Sequence, residues 1–393
     1  MAYNLNPTLA SLSGIISKDF HREKIRFSKW LSLIPRGTWE DEIGESYSML
    51  LFNRSFPTAN PTWTRMAAPT GSGTGSCTPT QLELTTGSTA RSIGLDIIDV
   101  KSEAFCSQLL RFNFQTRKQL ANIVEGFKDN MKFVLESKYQ DDYTDNAENK
   151  RIANETFSAG VSTFPLTEPT GPVTFGMLNQ VRQELIIAGA GEGAFGMENG
   201  GPVFTALGSM PAIENILHNN PDIVSDLHFS SKADDNIRAL GVDRSYRGWY
   251  FAAIDYPARW NFSGGAWQRV WPWENDSLAT YGTSTGLSNA YNTADYEDFY
   301  IIPNKRVMEE LVPRPISSYG SGTKWEPENF AADVKWMVIK DEDDNPFGRI
   351  GRYWGTLSVA ASPIQPRFGY VIRATRCGIS LGLTTCPAYS YPA

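Results

Sequence analysis

Several short patterns in the chain carry residue types and spacings that could do chemistry. Gly191-Glu-Gly-Ala-Phe-Gly196 matches GxGxxG, the loop that brings backbone N–H groups and a helix N-terminus to a dinucleotide pyrophosphate. That use needs a helix starting at the glycines. Met197-Glu-Asn-Gly-Gly-Pro202 cannot start one, so a loop is expected. Gly282-Thr-Ser-Thr-Gly286 matches the nucleophile elbow GxSxG. The elbow needs a strand before it, a helix after it and a base. Neither flank fits, and no histidine follows His228. Asp341-Glu-Asp-Asp-Asn345 offers oxygens at the first, third and fifth positions of a calcium loop. Pro346 stands where the turn glycine belongs and Arg352 where the closing Glu belongs, so a solvated turn between strands is expected. The neighbouring acids Asp234-Asp235 read as surface. No catalytic, metal or cofactor residue is assigned, and the chain is not read as an enzyme.

Cysteine and histidine point the same way. Cys77, Cys106, Cys377 and Cys386 form no CxxC pair, and their spacing fits no zinc pattern. They read as reduced thiols, with a Cys377–Cys386 bridge left open. His21, His218 and His228 sit in no ligand motif. Four N-x-S/T sequons, beginning at Asn53, Asn154, Asn261 and Asn275, are about what chance gives in an Asn-, Ser- and Thr-rich chain.

An aromatic run has two uses to weigh. Trp249, Trp260, Trp267, Trp271 and Trp273 are five of the eleven tryptophans, packed into 25 residues with Tyr250, Phe251, Tyr256 and Phe262. Such a run can stack sugars or bases. It can also supply a strand core and a subunit interface, where Trp and Tyr are enriched. A nucleic-acid platform would carry more flanking positive charge. The expectation is therefore a core plus an interface, with Trp260, Trp267, Trp271 and Trp273 as interface aromatics.

The elements that must position these residues read in order along the chain. Its 393 residues carry a net charge of −7, with 41% hydrophobic and 20% charged residues. That is globular and excludes a disordered chain. No apolar run approaches the ~18 residues a membrane helix needs, and the first residues lack the basic-then-apolar pattern of a secretory signal. Residues 1–36 carry a net +4 and read as an extended arm with one short helix. Ser46–Phe52, then Gln81–Leu84 and Ile93–Ile98, read as the two sides of a long hairpin with a Gly71-Ser-Gly-Thr-Gly-Ser76 tip. Such a hairpin cannot bury itself and must lean on something else. Leu120, Val124, Phe127, Met131 and Val134 recur at helical spacing and predict one long helix from Gln115 to Tyr139. Val173–Ala188 reads as a helix with Thr174 as its N-cap. Strands are expected at 202–207, 247–254, 355–361 and 368–373, and a further helix at 211–217.

This order resembles the major capsid protein of tailed double-stranded DNA bacteriophages, the Hong Kong 97-type fold. The stretch Ile237-Arg-Ala-Leu-Gly-Val-Asp-Arg-Ser-Tyr-Arg-Gly-Trp-Tyr-Phe251 is similar to the start of a strand in that family's axial domain. Phe204-Thr-Ala-Leu-Gly-Ser-Met-Pro-Ala-Ile213 resembles the strand-then-helix step before it. The resemblance covers most of the chain in element order. It implies an α+β fold: 1–50 as N-terminal arm, 51–100 as extended loop and 101–171 as peripheral domain with its spine helix. It further implies 172–345 as axial domain, and 346–393 as returning peripheral strands and tail.

By that resemblance the chain would self-assemble into pentamers and hexamers of an icosahedral shell enclosing double-stranded DNA, in a virion put together in the host cytoplasm. Its further partners would be a portal protein, a separate scaffolding protein and a decoration protein, with no membrane. Lys18, Arg22, Lys24, Arg26 and Lys29 would face DNA, and the loop-tip glycines Gly71, Gly73 and Gly75 would meet a neighbouring subunit. No lysine lies between Lys29 and Lys101, so the loop-lysine crosslink of some members is excluded. Two alternatives stand beside this reading. One is a cellular encapsulating shell protein of the same fold. The other is a phage tail or adhesion protein that binds glycans through the tryptophans.

Overall fold

Phe127, Met131, Leu135, Tyr139 and Tyr143 recur every fourth residue and are all buried. They line one side of a 33-residue helix, Phe114–Asn146, about 50 Å long at 1.5 Å per residue. In this computed structural model the residues described are 9, 12, 15–16, 30, 33–39, 46–52, 88–94, 96–102, 104–106, 114–153, 161–192, 194–198, 201–218, 248–272, 289–304, 307–313, 332–339, 349–363 and 365–376. The helix outruns the expected Tyr139 end and passes straight through Asp141-Asp142. Of the apolar stripe read from the sequence, Leu120, Val124 and Val134 are only half-buried.

The fold is mixed α+β, and contacts divide the chain into two units: Gly44–Gly94, and the remainder. In the smaller unit, Ser46–Phe52 pairs antiparallel with Ser88–Gly94 over seven residue pairs, from Ser46↔Gly94 to Phe52↔Ser88. This corrects the expected hairpin. The described return strand is Ser88–Gly94, Gln81–Leu84 lies outside the described residues, and Ile93–Ile98 is shared between two strands of different sheets. The Gly71–Ser76 tip lies outside the described residues.

The larger unit contains two sheets. The six-stranded sheet is built around the long strand Ile350–Pro363. Ala332–Val338 pairs along one side of it and Asp96–Lys101 along the other. Met308–Pro313 pairs with the far end of the same strand, from Met308↔Pro363 to Leu311↔Ala360, and Arg36–Trp39 adds to Met308–Pro313 in parallel. The eight-stranded sheet is built around Tyr296–Ile302, which pairs antiparallel with Tyr370–Thr375. On its other side the first residues meet Arg259–Ser263 and the last meet Gly201–Gly208. Trp249–Ala253 runs parallel to Gly201–Gly208, and Asn149–Ile152 runs parallel to Tyr370–Thr375.

The two sheets draw their strands from interleaved parts of the chain. Met308–Pro313 and Ala332–Val338, inside 172–345, belong to the six-stranded sheet. Within 346–393, Ile350–Pro363 joins that sheet and Tyr370–Thr375 joins the other.

The long helix links both sheets into one core. Its first half packs on the six-stranded sheet, with Phe127 stacked on Tyr353 at 6.2 Å. Gly355 makes that approach possible: a Cβ there would stand 2.7 Å from Met131 Sδ and 3.0 Å from Phe127 Cζ. Its second half packs on the eight-stranded sheet, where Tyr143 Oη donates to the Ile301 carbonyl and accepts from the Tyr370 N–H. Trp30 inserts edge-on between Tyr143 and Tyr300, at 5.4 and 5.0 Å, and is fully buried. Leu9, Ile16 and Ile34 are buried too. So the described part of the N-terminal segment is not a free extended arm. Leu9, Leu12, Ile15 and Ile16 are helical, and Leu12, Ile16, Trp30, Leu33 and Ile34 pack in the core, while Ile15 is exposed.

The helix Phe175–Ile187 starts as expected, Thr174 accepting the Met177 N–H through its side chain. It is tied to the sheet by Arg151 and Tyr370, both of which reach Glu184.

Candidate functional site

Alternation along the eight-stranded sheet gathers the aromatic run on one face. Tyr296, Asp298 and Tyr300 share that face with Arg373, directly opposite Asp298, and with Trp260, directly opposite Tyr296. The hairpin Arg259–Ser263/Ala266–Val270 then adds Phe262 opposite Trp267 and Trp260 opposite Arg269. Its two-residue turn is Gly264-Gly265, with φ of +63° and +78°. That left-handed pair is what a tight hairpin with native strand twist requires.

The centre of this face is Arg373. Its side chain is 1% exposed and that of Asp298 is fully buried. Arg373 Nε donates to Asp298 Oδ1 at 2.7 Å and Nη2 to Oδ2 at 3.1 Å. The Trp260 Nε1–H also donates to Asp298 Oδ2, at 2.7 Å. Three aromatic rings wall the guanidinium: Phe164 and Trp260 each at 3.8 Å, and Trp267 at 4.6 Å. Trp267 is held in turn by a hydrogen bond from its Nε1–H to the Pro165 carbonyl at 2.9 Å, and by Tyr296 edge-on at 5.3 Å. A buried charge tolerates such a place only when paired and hydrogen-bonded, and each desolvated cation–aromatic contact adds about 2 kcal/mol.

A second guanidinium borders the first. Arg269 reaches Asp141 of the long helix at 3.3 Å and lies 4.6 Å over Trp271. Burial pushes the Asp141 carboxyl up to about 6. Arg269 pulls it down, and Asp145, Asp298 and Asp142 push it further up.

The tryptophans read as interface aromatics therefore have an internal use. Trp260 and Trp267 present ring faces to Arg373, and Trp271 to Arg269, while all three remain half-buried. Trp273 lies outside the described residues, as do Lys18, Arg22, Lys24, Arg26, Lys29, Gly71, Gly73 and Gly75. Sequence reasoning missed Arg373. Its signal was a lone cation ending the apolar run Tyr370-Val-Ile372. The opposite face of the same strands carries Glu297, fully buried, which accepts the Ser209 hydroxyl at 2.6 Å. Burial holds its carboxyl above the ordinary range.

Gly189 to Glu192 is a turn after a helix and Gly196–Glu198 is a short strand, so no helix follows the GxGxxG glycines. Gly282–Gly286, Asp234-Asp235 and Asp341–Asn345 lie outside the described residues, although the strands flanking the last close up at Val338↔Gly351. Among the described residues no group of three or more His, Cys, Asp or Glu could hold a metal ion. A hollow beside Tyr143, Met308 and Pro366 holds about 10 Å³, room for one water at most.

No protein-family model matches the chain, and no curated protein matches it. Among solved structures, the chain is similar to the capsid asymmetric unit of cyanophage Pam1, with 9% identity over 90% of this chain and 93% of that one, at a TM-score of 0.48. It is similar to the capsid of Ralstonia phage GP4, with 10% identity over 88% of each chain and a TM-score of 0.44. It is also similar to the holo-SrpI encapsulin complex of Synechococcus elongatus, with 12% identity over 78% of this chain and 81% of that one, at 0.39. Phage capsids recur among the structures the chain resembles.

Proposed function

We propose that the chain is a major capsid protein that self-assembles into the pentamers and hexamers of an icosahedral shell around double-stranded DNA. The observation that carries this reading is the Gly44–Gly94 unit. A two-stranded hairpin of seven pairs is marginal on its own in water, and a neighbouring copy is the surface that would complete it. Head-to-tail contacts of that kind close rings. In this reading Phe114–Asn146 is the spine helix, the hairpin is the extended loop with Gly71, Gly73 and Gly75 at its contact tip, and the shell is a virion component assembled in host cytoplasm. A portal, a separate scaffolding protein and a decoration protein are the further partners. Lys18, Arg22, Lys24, Arg26 and Lys29 face the packaged DNA.

The test is negative-stain electron microscopy with sedimentation of the expressed chain, alone and together with the neighbouring virion proteins. Closed shells, or rings of five or six subunits, are expected. A monomer or slender trimer under both conditions overturns the reading. Closed shells that hold an enzyme and no DNA would assign the chain to the cellular encapsulating proteins.

A further inference from the structure

The six-stranded sheet has two faces, and the long helix covers one. Along Ile350–Pro363, Tyr353 and Gly355 turn toward Phe127 and Met131 of that helix. Trp354 and Thr356 therefore turn the other way. Cross-strand register sorts the charges on this second face into two rows. Lys101 and Lys335 stand directly opposite Trp354 on its two sides, and Asp99 and Asp333 stand directly opposite Thr356. Both lysines and Asp99 are exposed, while Trp354 and Thr356 are half-buried. Lys101 Nζ lies 4.2 Å over the Trp354 ring, and the Thr356 hydroxyl donates to Asp99 at 2.8 Å. One row is thus cation, large ring, cation. The next, two residues along the strands and about 7 Å away, is acid, small hydroxyl, acid.

Each row is the complement of the other. A two-fold axis lying in the face, parallel to the rows and midway between them, carries the acid row of one copy onto the cation row of the next. Asp99 then meets the partner's Lys101, Asp333 meets the partner's Lys335 and Thr356 meets the partner's Trp354, and each pairing occurs twice. We propose that this face pairs with the same face of a second copy of the chain about that axis. A uniform polyanion or polycation would be attracted by one row and repelled by the other, whereas a second copy satisfies both. Sheets packed face to face stand about 10 Å apart, a gap that a lysine and an aspartate span between them. A large ring set over a small hydroxyl fills the middle of it without a clash. Such a contact is isologous and closes at two copies, whereas rings need head-to-tail contacts. The inference therefore goes beyond the capsid reading and concerns chains outside a shell. Three strands of about seven residues present roughly 330 Å2, under half of the about 800 Å2 that each partner of a stable complex buries. The pair is accordingly weak, reversible and sensitive to salt.

The experiment is sedimentation velocity of the full chain across about 1 to 100 μM, at about 50 and about 500 mM salt. The parent is expected to show a monomer–dimer step at low salt that weakens at high salt. Two charge-reversed variants, Lys101→Asp/Lys335→Asp and Asp99→Lys/Asp333→Lys, each bring like charges together in both rows and should dimerise at least tenfold more weakly than the parent. Mixed in equal amounts, they set acid rows against cation rows at every contact, and the dimer should return at least as tight as the parent's. Lys101→Gln changes one exposed position and removes two of the four ion pairs, which should weaken the dimer about two- to tenfold; it keeps the test decisive if a double variant misfolds. A parent chain with no monomer–dimer step overturns the inference, as does a mixture of folded variants that dimerises no better than either alone. A dimer untouched by both charge reversals and by Lys101→Gln places the contact on another face and also overturns it. Rings and shells sediment well ahead of a dimer, so the capsid reading is judged on a separate boundary. Their absence, with and without the neighbouring virion proteins, counts against that reading and leaves the dimer result standing.

Discussion

Arg373 and Lys101 both place a cation over a tryptophan ring, at 3.8 and 4.2 Å, yet the two sites do opposite work. Arg373 is enclosed by three rings and a fully buried carboxylate, so its contacts act in a medium that does not screen them. Lys101 lies on an open sheet face, where water and salt compete for it. One geometry therefore serves as internal fastening in the eight-stranded sheet and as an available charge on the six-stranded one. Arg269, half-buried between Trp260, Trp271 and Asp141, stands between these limits.

The comparison breaks most visibly at the closed end. Arg373→Met should cost about 3–5 kcal/mol, because it strands Asp298 without its partner. Urea denaturation measures this. Adding Asp298→Leu to Arg373→Met should recover part of the loss, since an apolar pair leaves no uncompensated charge. A double variant worse than the single would mean that the cage acts through shape rather than charge.

The intermediate site should respond to pH. The folded state binds the Asp141 proton more tightly than the unfolded chain, with the carboxyl at about 6 against an ordinary 3.8. Stability from this group is therefore greatest at low pH and falls as pH rises from about 4 to 6. Glu297 leans the same way. Asp141→Asn should flatten, without abolishing, the decline in melting temperature across that window. A parallel curve in the variant would assign the whole slope to other groups.

The smallest effect belongs to the open end. Lys101→Gln should change stability by less than about 1 kcal/mol in urea denaturation. A larger loss would mean that Lys101 fastens the sheet much as Arg373 does.

The helices and the strongest strands were legible in the sequence because their signals are local. The Phe127–Met131 stripe, the Thr174 cap, and the strands at 202–207 and 249–253 follow from spacing within a dozen residues. The cage was not legible, because Phe164, Trp260, Trp267, Asp298 and Arg373 come together only through pairing across more than two hundred residues. Trp30 failed for a different reason: a single large residue among charges has no periodicity to announce its burial. The hairpin was legible, and its described return strand, Ser88–Gly94, overlaps the expected returning side at Ile93-Gly94. The bounds of that strand were not legible, because only cross-strand register sets them.

The order in which strands are made differs from the order in which they lie. Tyr370–Thr375 follows every other described strand in the chain, yet it sits between Tyr296–Ile302 and Asn149–Ile152 in the interior of its sheet and carries Arg373. A growing polypeptide therefore holds an open slot until that strand leaves the ribosome, with both flanking strands and the Asp298 carboxylate waiting for a partner. Chains stopped before Tyr370 lack the strand that joins Tyr296–Ile302 to Asn149–Ile152 and leave Asp298 without its cation.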